Sequence, residues 1–332
     1  LITSINGTFS SIFIADNQPT GIKTITALGL QGNQLSTTIF NLIAPPTGSI
    51  TVQNATGTTI GTYSTIQEGV DACPVGGTVS ATAGIYAEFV NISKKIYIVG
   101  IGTPTIDPPS DGNAIIFSTN SADGAFISGF RITGATDNTS PYNDGYGIYC
   151  SSGSPTITSN QITGNRYGIY CSSSSPVIDN NTIVNNSWHG VVSRYSSFPV
   201  IISNTIAESG AYGIYTGDSS SPTIINNIIT GNNECGIVCD WSSFPIITNN
   251  TVVGNGGNFG GISCWLNSFP TITNNIITQN KYGIYYQSGT LSIGYNCVWG
   301  NEFGNYFGCS AGSGDISQNP QFIGVGDYHL GF

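Results

Sequence analysis

Charge is scarce in this chain. Only 7% of its 332 residues are charged, with 7 Lys and Arg against 17 Asp and Glu, which gives a net charge of −10. A helical globule of this size normally carries far more charge, so the composition disfavours a helical fold. The shortage of cations also argues against nucleic acid and anionic membranes as partners, because proteins bind both through Lys and Arg.

Methionine and long apolar runs are missing as well. No stretch resembles a membrane span, and the segment after Leu1 has neither the basic nor the apolar part of a signal peptide. Because an initiator methionine is also lacking, we expect that any targeting segment has been removed. Low charge, abundant Ser, Thr, Asn and Gly, and 8 cysteines predict a secreted, extracellular or cell-surface protein.

The chain is rich in one repeat of roughly 23 residues, which recurs seven times between Gly145 and Asn301. Each copy opens on Gly followed by Ile or Val, and most continue to a proline that precedes an asparagine by five residues. A fixed period in this range indicates a solenoid, whose copies bury a continuous core only by stacking. The asparagines of this column are Asn160, Asn181, Asn204, Asn227, Asn250 and Asn275.

Three short apolar–polar runs in each copy, separated by Gly, Ser, Asn and Pro, predict three strands per coil. We therefore predict an all-β fold, a parallel β-helix of about ten coils with regular repeats over residues 145–301. The asparagine column is expected at a turn, as an internal ladder. Three apolar columns are expected to face inward; their first members are Ile148, Ile157 and Ile162.

Upstream, residues 62–102 predict a short capping helix followed by degenerate coils. Ser64 with Gln67, or Thr65 with Glu68, has the spacing of a capping box. An amphipathic helix here, within a cap at about residues 60–77, would cover the open apolar end of the solenoid. Degenerate coils are predicted from residue 78 to 140. Their expected inward residues are Ile92, Ile96, Ile98, Ile106, Ile115, Ile127 and Ile132.

This stretch carries a family resemblance. Ser64-Thr65-Ile66-Gln67, and later Gly84, Tyr86 and Glu88 before the Ile-rich run to Gly100, resemble the opening of right-handed β-helix proteins. The group is the pectin-lyase-like and NosD-type one, and residues 319–330 resemble its C-terminal end, so a C-terminal cap is expected at 302–332. The resemblance covers about residues 61–330 and implies a right-handed helix, and we expect the β-helix domain to span residues 46–332. It implies no single activity, because the group includes lyases, hydrolases, epimerases, binding proteins and inert spikes.

Residues 1–45 form a different segment. Three alternating runs, at residues 7–14, 21–28 and 34–43, resemble the last three strands of a bacterial immunoglobulin-like surface domain. A complete sandwich needs about seven strands. Three strands would leave an unpaired edge, so we expect either lost strands or strands supplied by another chain.

Arg194, Asp218 and Asp240 are the candidate catalytic residues if the chain is an enzyme. The resemblance implies an arginine base beside calcium-binding carboxylates for a lyase, or an aspartate pair for a hydrolase. Tyr195, Trp241 and Trp265 are candidates for carbohydrate binding. The simpler interpretation is a solvent-facing turn that holds the few charges present, so no catalytic residue and no cofactor is predicted, with calcium the one ion considered.

Stacked cysteines at Cys150 and Cys171, and at Cys239 and Cys264, are disulfide candidates, with buried thiols as the alternative. No metal site is predicted. Glycosylation is permitted at seven Asn-x-Ser/Thr sequons. These are Asn6, Asn54, Asn91, Asn138, Asn180, Asn185 and Asn249.

Three functional hypotheses follow. The first is a non-catalytic structural subunit of a surface filament, in which copies join head to tail through residues 1–45. The second is a polysaccharide lyase or hydrolase, and the third is a carbohydrate-binding adhesin that recognises surface glycans. We place the filament first, because groups that could act as catalysts are so few.

Overall fold

The chain divides into two compact units, Leu1–Pro46 and Thr47–Phe332, in a computed structural model. The structure describes residues 23–31, 34–42, 48–136, 145–324 and 326–330. In the first unit, strands Lys23–Gln31 and Gln34–Leu42 pair antiparallel. They cover most of the second and third predicted runs, whereas the run at residues 7–14 lies outside the described residues.

The second unit is a parallel β-solenoid, with three strands per coil that stack in three sheets. We number the sheets in the order in which a regular coil visits them. The short Val-, Ile- and Thr-rich strands of sheet 2 alternate buried inward residues with partly exposed outward residues, so one face of this sheet is buried. Several strands of sheet 1 are buried on both faces. Two of the three sheets have ten strands in the described residues, which confirms a solenoid of about ten coils.

The strand bounds are as follows. Sheet 1 contains Val90–Ile92, Ile115–Phe117, Tyr146–Ser151, Tyr167–Ser172, Val191–Arg194, Ile214–Thr216, Ile237–Cys239, Ile262–Cys264, Tyr282–Tyr286 and Gly304–Phe307. Sheet 2 contains Ile50–Gln53, Thr59–Tyr63, Thr78–Thr82, Tyr97–Ile101, Phe126–Ser128, Thr156–Thr158, Val177–Asp179, Val200–Ile202, Thr223–Ile225, Ile246–Thr248, Thr271–Thr273 and Ser292–Gly294. Sheet 3 contains Ile85–Tyr86, Thr105–Ile106, Arg131–Ile132, Gln161–Thr163, Thr182–Val184, Thr205–Ala207, Ile228–Thr230, Thr251–Val253, Ile276–Thr278 and Cys297–Trp299.

The elements at the two ends of the solenoid differ from the regular coils. Two strands that the sequence did not predict extend sheet 2: Ile50–Gln53 pairs antiparallel with Thr78–Thr82 of the first coil, and Thr59–Tyr63 pairs antiparallel with Ile50–Gln53. Strand Gly304–Phe307 still pairs in sheet 1, although it lies inside the predicted C-terminal cap. A short hairpin, Phe322–Gly324 with Asp327–Leu330, follows it. A single 3-10 turn, Asn120–Ala122, lies within an early coil.

The helix Ile66–Ala72 has the capping box of Thr65 and Glu68 rather than that of Ser64 and Gln67. Glu68 carboxylate and Thr65 hydroxyl satisfy each other's backbone N–H groups. A contact that sequence did not predict adds to this cap: the Glu88 carboxylate accepts from the N–H groups of Ile66 and Gln67. Whether the helix shields the end of the solenoid from solvent stays a prediction.

The three predicted apolar columns form the core of the solenoid. Ile148, Ile157, Ile162 and the residues stacked on them are completely buried, as are the inward residues predicted for the degenerate coils. Each buried Ile side chain stabilises the fold by about 1.5–3 kcal/mol. Because the next coil adds the same residue at the same place, the core continues without interruption from one coil to the next.

Polar ladders occupy the turns of the solenoid. The predicted ladder from Asn160 to Asn275 is buried, and each Asn Oδ1 accepts from the backbone N–H and Nδ2 of the Asn one coil before it. A second asparagine ladder, which the sequence analysis missed, lies between sheet 3 and the next strand of sheet 1. Its members are Asn165, Asn186, Asn232, Asn255, Asn280 and Asn301, with Ser209 between Asn186 and Asn232.

Candidate functional site

The candidate catalytic and carbohydrate-binding residues lie at or beside the turn between sheet 1 and sheet 2, which we call the first turn. Tyr195, Asp218, Trp241 and Leu266 occupy equivalent positions in four successive coils, with φ of 57°, 52°, 43° and 37°. This left-handed conformation is uncommon for bulky side chains and costs roughly 1–2 kcal/mol per residue. Backbone strain of this kind concentrates at functional positions, so it marks the turn as a candidate site.

An extra residue lengthens the first turn in these coils. From Gly168 to Pro176 the chain advances 8 positions, whereas from Gly213 to Pro222 it advances 9. The short turn has a single left-handed residue, Ser173, and the long turns have two in succession. This change in spacing is visible in the sequence and could have located the site.

Arg194 is held on several sides. Its Nε donates to Asp218 Oδ2 at 2.5 Å, and its guanidinium lies over the rings of Tyr195 and Tyr215, 5.1 and 5.7 Å from their centroids. Burial alone would lower the pKa of Arg194, but the hydrogen bond to Asp218 raises it above its ordinary value. The arginine is therefore a permanent cation that is already paired, and not a free base.

Asp240 is less open than its predicted outward position suggests. Asp240 is only 6% exposed. Its Oδ1 accepts a hydrogen bond from the Trp241 N–H at 2.9 Å, and its Oδ2 accepts one from the Tyr215 hydroxyl at 3.2 Å. Burial raises the pKa of Asp240, and the charge of Asp218 adds to the rise, while the two hydrogen bonds oppose it. The interpretation as a wholly solvent-facing turn is thus wrong for this residue.

The three carbohydrate-binding candidates do not lie in one row. Tyr195 and Trp241 are 50% and 54% exposed at the first turn. Trp265 instead lies edge-on against Tyr212 and Phe259, at ring distances of 6.0 and 5.3 Å, so it covers the outer face of sheet 1. The structure therefore aligns Tyr195 with Trp241 but does not bring Trp265 into the same row.

Exposed phenylalanines run beside that row. Phe198, Phe244 and Phe269 precede the buried prolines, and the rings of Phe244 and Phe269 stack at 4.9 Å. Phe198 lies two coils from Phe244, because Ser221 holds the intervening position. We call the exposed side chains of both rows the turn ridge. It consists of Tyr195, Phe198, Trp241, Phe244, Leu266 and Phe269.

The outer face of sheet 1 carries a second aromatic group that the sequence analysis missed. His189 stacks on Tyr212 at 4.7 Å, and its Nδ1 accepts from the Tyr212 N–H. Burial, with the charge of Arg194, lowers the pKa of His189 to about 3. At neutral pH this histidine is therefore uncharged, and it packs against Tyr212 rather than adding a cation to the site.

The cysteine pairs lie where the sequence placed them. Cys150 is in register with Cys171, and Cys239 with Cys264, on adjacent strands of sheet 1. All four are buried and present as free thiols, and burial raises the pKa of Cys150 and Cys239. Pairing as disulfides stays a prediction.

The sequons within the described residues lie on the surface. Asn91, Asn180, Asn185 and Asn249 are exposed, and Asn54 is half-buried in a turn. Asn6 and Asn138 lie outside the described residues. Occupancy by glycans stays a prediction.

We also searched the described residues for depressions, metal-ligand clusters and membrane-spanning helices. A depression of about 490 Å³ at the C-terminal end is lined by Tyr286, Leu291, Ile293 and Cys309, and no charged side chain lines it. Among the described residues no cluster of His, Cys, Asp and Glu could hold a metal ion. In the same part of the chain no helix is long and apolar enough to cross a membrane.

Comparisons with known proteins concern the fold. A family model described as "Right handed beta helix region" matches residues 172–320. The A-module of a mannuronan C-5 epimerase of Azotobacter vinelandii is 17% identical over 77% of this chain and 95% of its own, with a TM-score of 0.44. The catalytic domain of a GH87 alpha-1,3-glucanase is 12% identical over 77% of this chain and 66% of its own, with a TM-score of 0.44.

A tailspike protein of Acinetobacter baumannii bacteriophage Fri1, a capsular polysaccharide depolymerase, is 12% identical over 72% of this chain and 57% of its own, with a TM-score of 0.40. These similarities are too low to carry an activity or a ligand over to this chain. The comparison with curated proteins found no match. The chain therefore contains a right-handed parallel β-helix of about ten turns.

Proposed function

We propose that this chain is a non-catalytic carbohydrate-binding protein, which holds an extended polysaccharide along the turn ridge. The observation that carries the proposal is the placement of Tyr195 and Trp241. Both are half-exposed on left-handed turns, at a position where the earlier coil uses Ser173. Aromatic rings present a large apolar face at little entropic cost, and sugar rings present apolar C–H faces that match it.

The spacing of the ridge suits a linear polymer. Tyr195 and Trp241 are two coils apart, which corresponds to about 10 Å at the spacing of adjacent strands. Phe198 and Phe244 repeat the same interval in the neighbouring row. A ligand that extends along the solenoid axis would therefore meet rings two coils apart in both rows, which a small compact ligand would not.

Polar groups beside the rings give the ridge its hydrogen-bonding capacity. Asp218 keeps 24% of its side chain exposed, and Ser196, Ser219, Ser242 and Asn267 lie exposed between the two rows. Sugars combine hydroxyl groups with apolar faces, so a surface of alternating rings and small polar side chains complements them.

The lyase or hydrolase alternative rests on Asp240, because burial raises its pKa as a general acid requires. Its carboxylate is nearly enclosed, however, and the adjacent Asp218 is engaged by Arg194. We therefore place binding before turnover. Product analysis after long incubation with each bound glycan would reveal cleavage, and cleavage lost in Asp240→Asn would establish the alternative.

The filament prediction concerns residues 1–45, of which only the strands Lys23–Gln31 and Gln34–Leu42 are described. It stays a prediction. A location outside the cell, which the composition predicts, is where a polysaccharide ligand would be met.

Affinity electrophoresis through a panel of soluble polysaccharides, followed by calorimetry with the best ligand, tests the proposal. Trp241→Ala should weaken binding by about 2 kcal/mol, roughly 30-fold, as expected for a central aromatic contact. Tyr295→Ala is the matched control, since Tyr295 is 65% exposed with φ of 60° on a different turn. Retention by no polysaccharide, or equal losses in the two variants, would refute the proposal.

A further inference from the structure

We infer that the turn ridge selects glycans that lack carboxylates and rejects polyuronates. This inference rests on the proposed function and names the class of ligand. It follows from the charges around the ridge. In the described residues of these coils the one cation near the ridge is Arg194, and it is already bonded to Asp218 and covered by Tyr195 and Tyr215.

Recognition of a ligand carboxylate normally needs an arginine or lysine whose donors are free to face it. Arg194 meets that requirement poorly, because its charge is already balanced by Asp218, which engages its Nε, and only one-third of its side chain is exposed. Breaking the pair would leave Asp218 and Asp240 beside the incoming carboxylate. Three negative groups would then share one cation, which is unfavourable in a partly desolvated site.

Other cations of the solenoid lie too far away to compensate. Lys94 and Lys95 follow strand Val90–Ile92, which is four strands from Val191–Arg194 in sheet 1, about 19 Å. Arg131 lies in sheet 3, and Lys281 pairs with Glu302. Arg166 precedes strand Tyr167–Ser172, whose Ser172 is in register with Arg194, so it lies about 20 Å away along the strand. Attraction beyond the screening length of about 8–10 Å is small at physiological salt. The net charge of −10 adds a general repulsion of polyanions.

Substitutions of Asp218 that free Arg194 test the inference. Asp218→Asn keeps the shape of the side chain but removes the charge that holds Arg194, and Asp218→Ser introduces the residue found at this turn in the earlier coil, Ser173. Either variant should free Arg194 to meet a ligand carboxylate. Asp179→Asn is the matched control, because it removes one negative charge from sheet 2, away from the ridge.

The experiment compares one neutral polysaccharide that binds with the same polymer after selective oxidation of its C6 hydroxyls to carboxylates. Calorimetry at low and at physiological ionic strength should show the oxidised form binding at least tenfold more weakly to the wild-type protein. In Asp218→Asn and Asp218→Ser the difference should shrink several-fold, and in Asp179→Asn it should not change. Thermal unfolding of each variant confirms that it is folded.

Equal or tighter binding of the oxidised polymer by the wild-type protein would overturn the inference while leaving the proposed function intact. An unchanged difference in both folded Asp218 variants would also overturn it, because the paired arginine would then not set the selectivity. Failure of every neutral and acidic polysaccharide to bind would overturn the proposed function, and this inference with it.

Discussion

Replacement of Asn227 by Ala should destabilise the solenoid more than any comparable change on its surface. The Asn227 side chain takes part in five hydrogen bonds. Its Nδ2 donates to the carbonyls of Ile201 and Ile225 and to Asn250 Oδ1, and its Oδ1 accepts from the N–H and Nδ2 of Asn204. All of this lies in a ladder position that is 1% exposed.

The magnitude follows from what the substitution leaves behind. The buried N–H of Asn204 loses its acceptor, which costs about 1–3 kcal/mol. The four other bonds contribute about 0.5–1 kcal/mol each, of which structural relaxation recovers a part. We therefore expect a loss of about 4 kcal/mol in the free energy of unfolding. Asn226→Ala is the control, because Asn226 is exposed with φ of 55°, and it should cost no more than about 1 kcal/mol.

Urea unfolding followed by circular dichroism measures both variants. Since stacked coils interact mainly with their neighbours, the damage should also be local. Hydrogen exchange should accelerate in the coils of Asn204, Asn227 and Asn250 and remain slow near Ile98 and Ile127. If Asn227→Ala and Asn226→Ala lost the same stability, or if exchange rose uniformly, the ladder would not be the stabilising element described above.

Two further predictions concern the first turn. Trp241→Gly should raise the free energy of unfolding by about 1 kcal/mol, because glycine relieves the left-handed strain at φ of 43°, yet it should weaken polysaccharide binding as much as Trp241→Ala does. A destabilised variant in thermal melts would contradict this. Asp240 has a native pKa above its ordinary value of 3.8, so the native state binds the proton more tightly and stability falls as pH rises from 3.8 through the native pKa. Asp240→Asn should remove this pH dependence of stability and have a higher melting temperature than the wild type at neutral pH. If the melting temperatures of the two proteins changed with pH in the same way, burial would not destabilise the Asp240 carboxylate.

The solenoid was predictable because the same residue types recur at the same position of every coil. Ile148, Ile157 and Ile162 each begin a column, and a strand residue whose neighbours above and below are also Ile has only one face of the sheet to occupy. The same logic placed Asn160 at an internal turn and Cys150 opposite Cys171. The second ladder escaped prediction because Ser209 interrupts its asparagines, although Asn186 and Asn232 on either side keep the spacing.

For the site, the sequence predicted which residues occupy equivalent positions of the repeat, but not how their side chains contact one another. Equivalent positions in the repeat put Arg194 and Asp240 in one column and Asp218 in the next, but the periodicity does not say which way a side chain turns. The Arg194–Asp218 bond, the enclosure of Asp240 by Tyr215 and the displacement of Trp265 onto Tyr212 are set by side-chain packing between columns. The contact of Glu88 with the helix N-terminus was likewise not predicted, because it joins residues that are distant in sequence and no local pattern indicates it.

The rigidity of the solenoid explains how the turn ridge tolerates strained residues and what it gains from them. Each long turn is bonded to the next: Ser196 N–H donates to Asp218 O, and Ser219 N–H to Trp241 O. Ser197 beneath them is buried and its hydroxyl donates to the Arg194 carbonyl. A ring held in this way loses little further freedom when a ligand arrives, so less of its contact energy is consumed by ordering. The left-handed first turn therefore carries the exposed Tyr195 and Trp241 on a backbone that is already fixed.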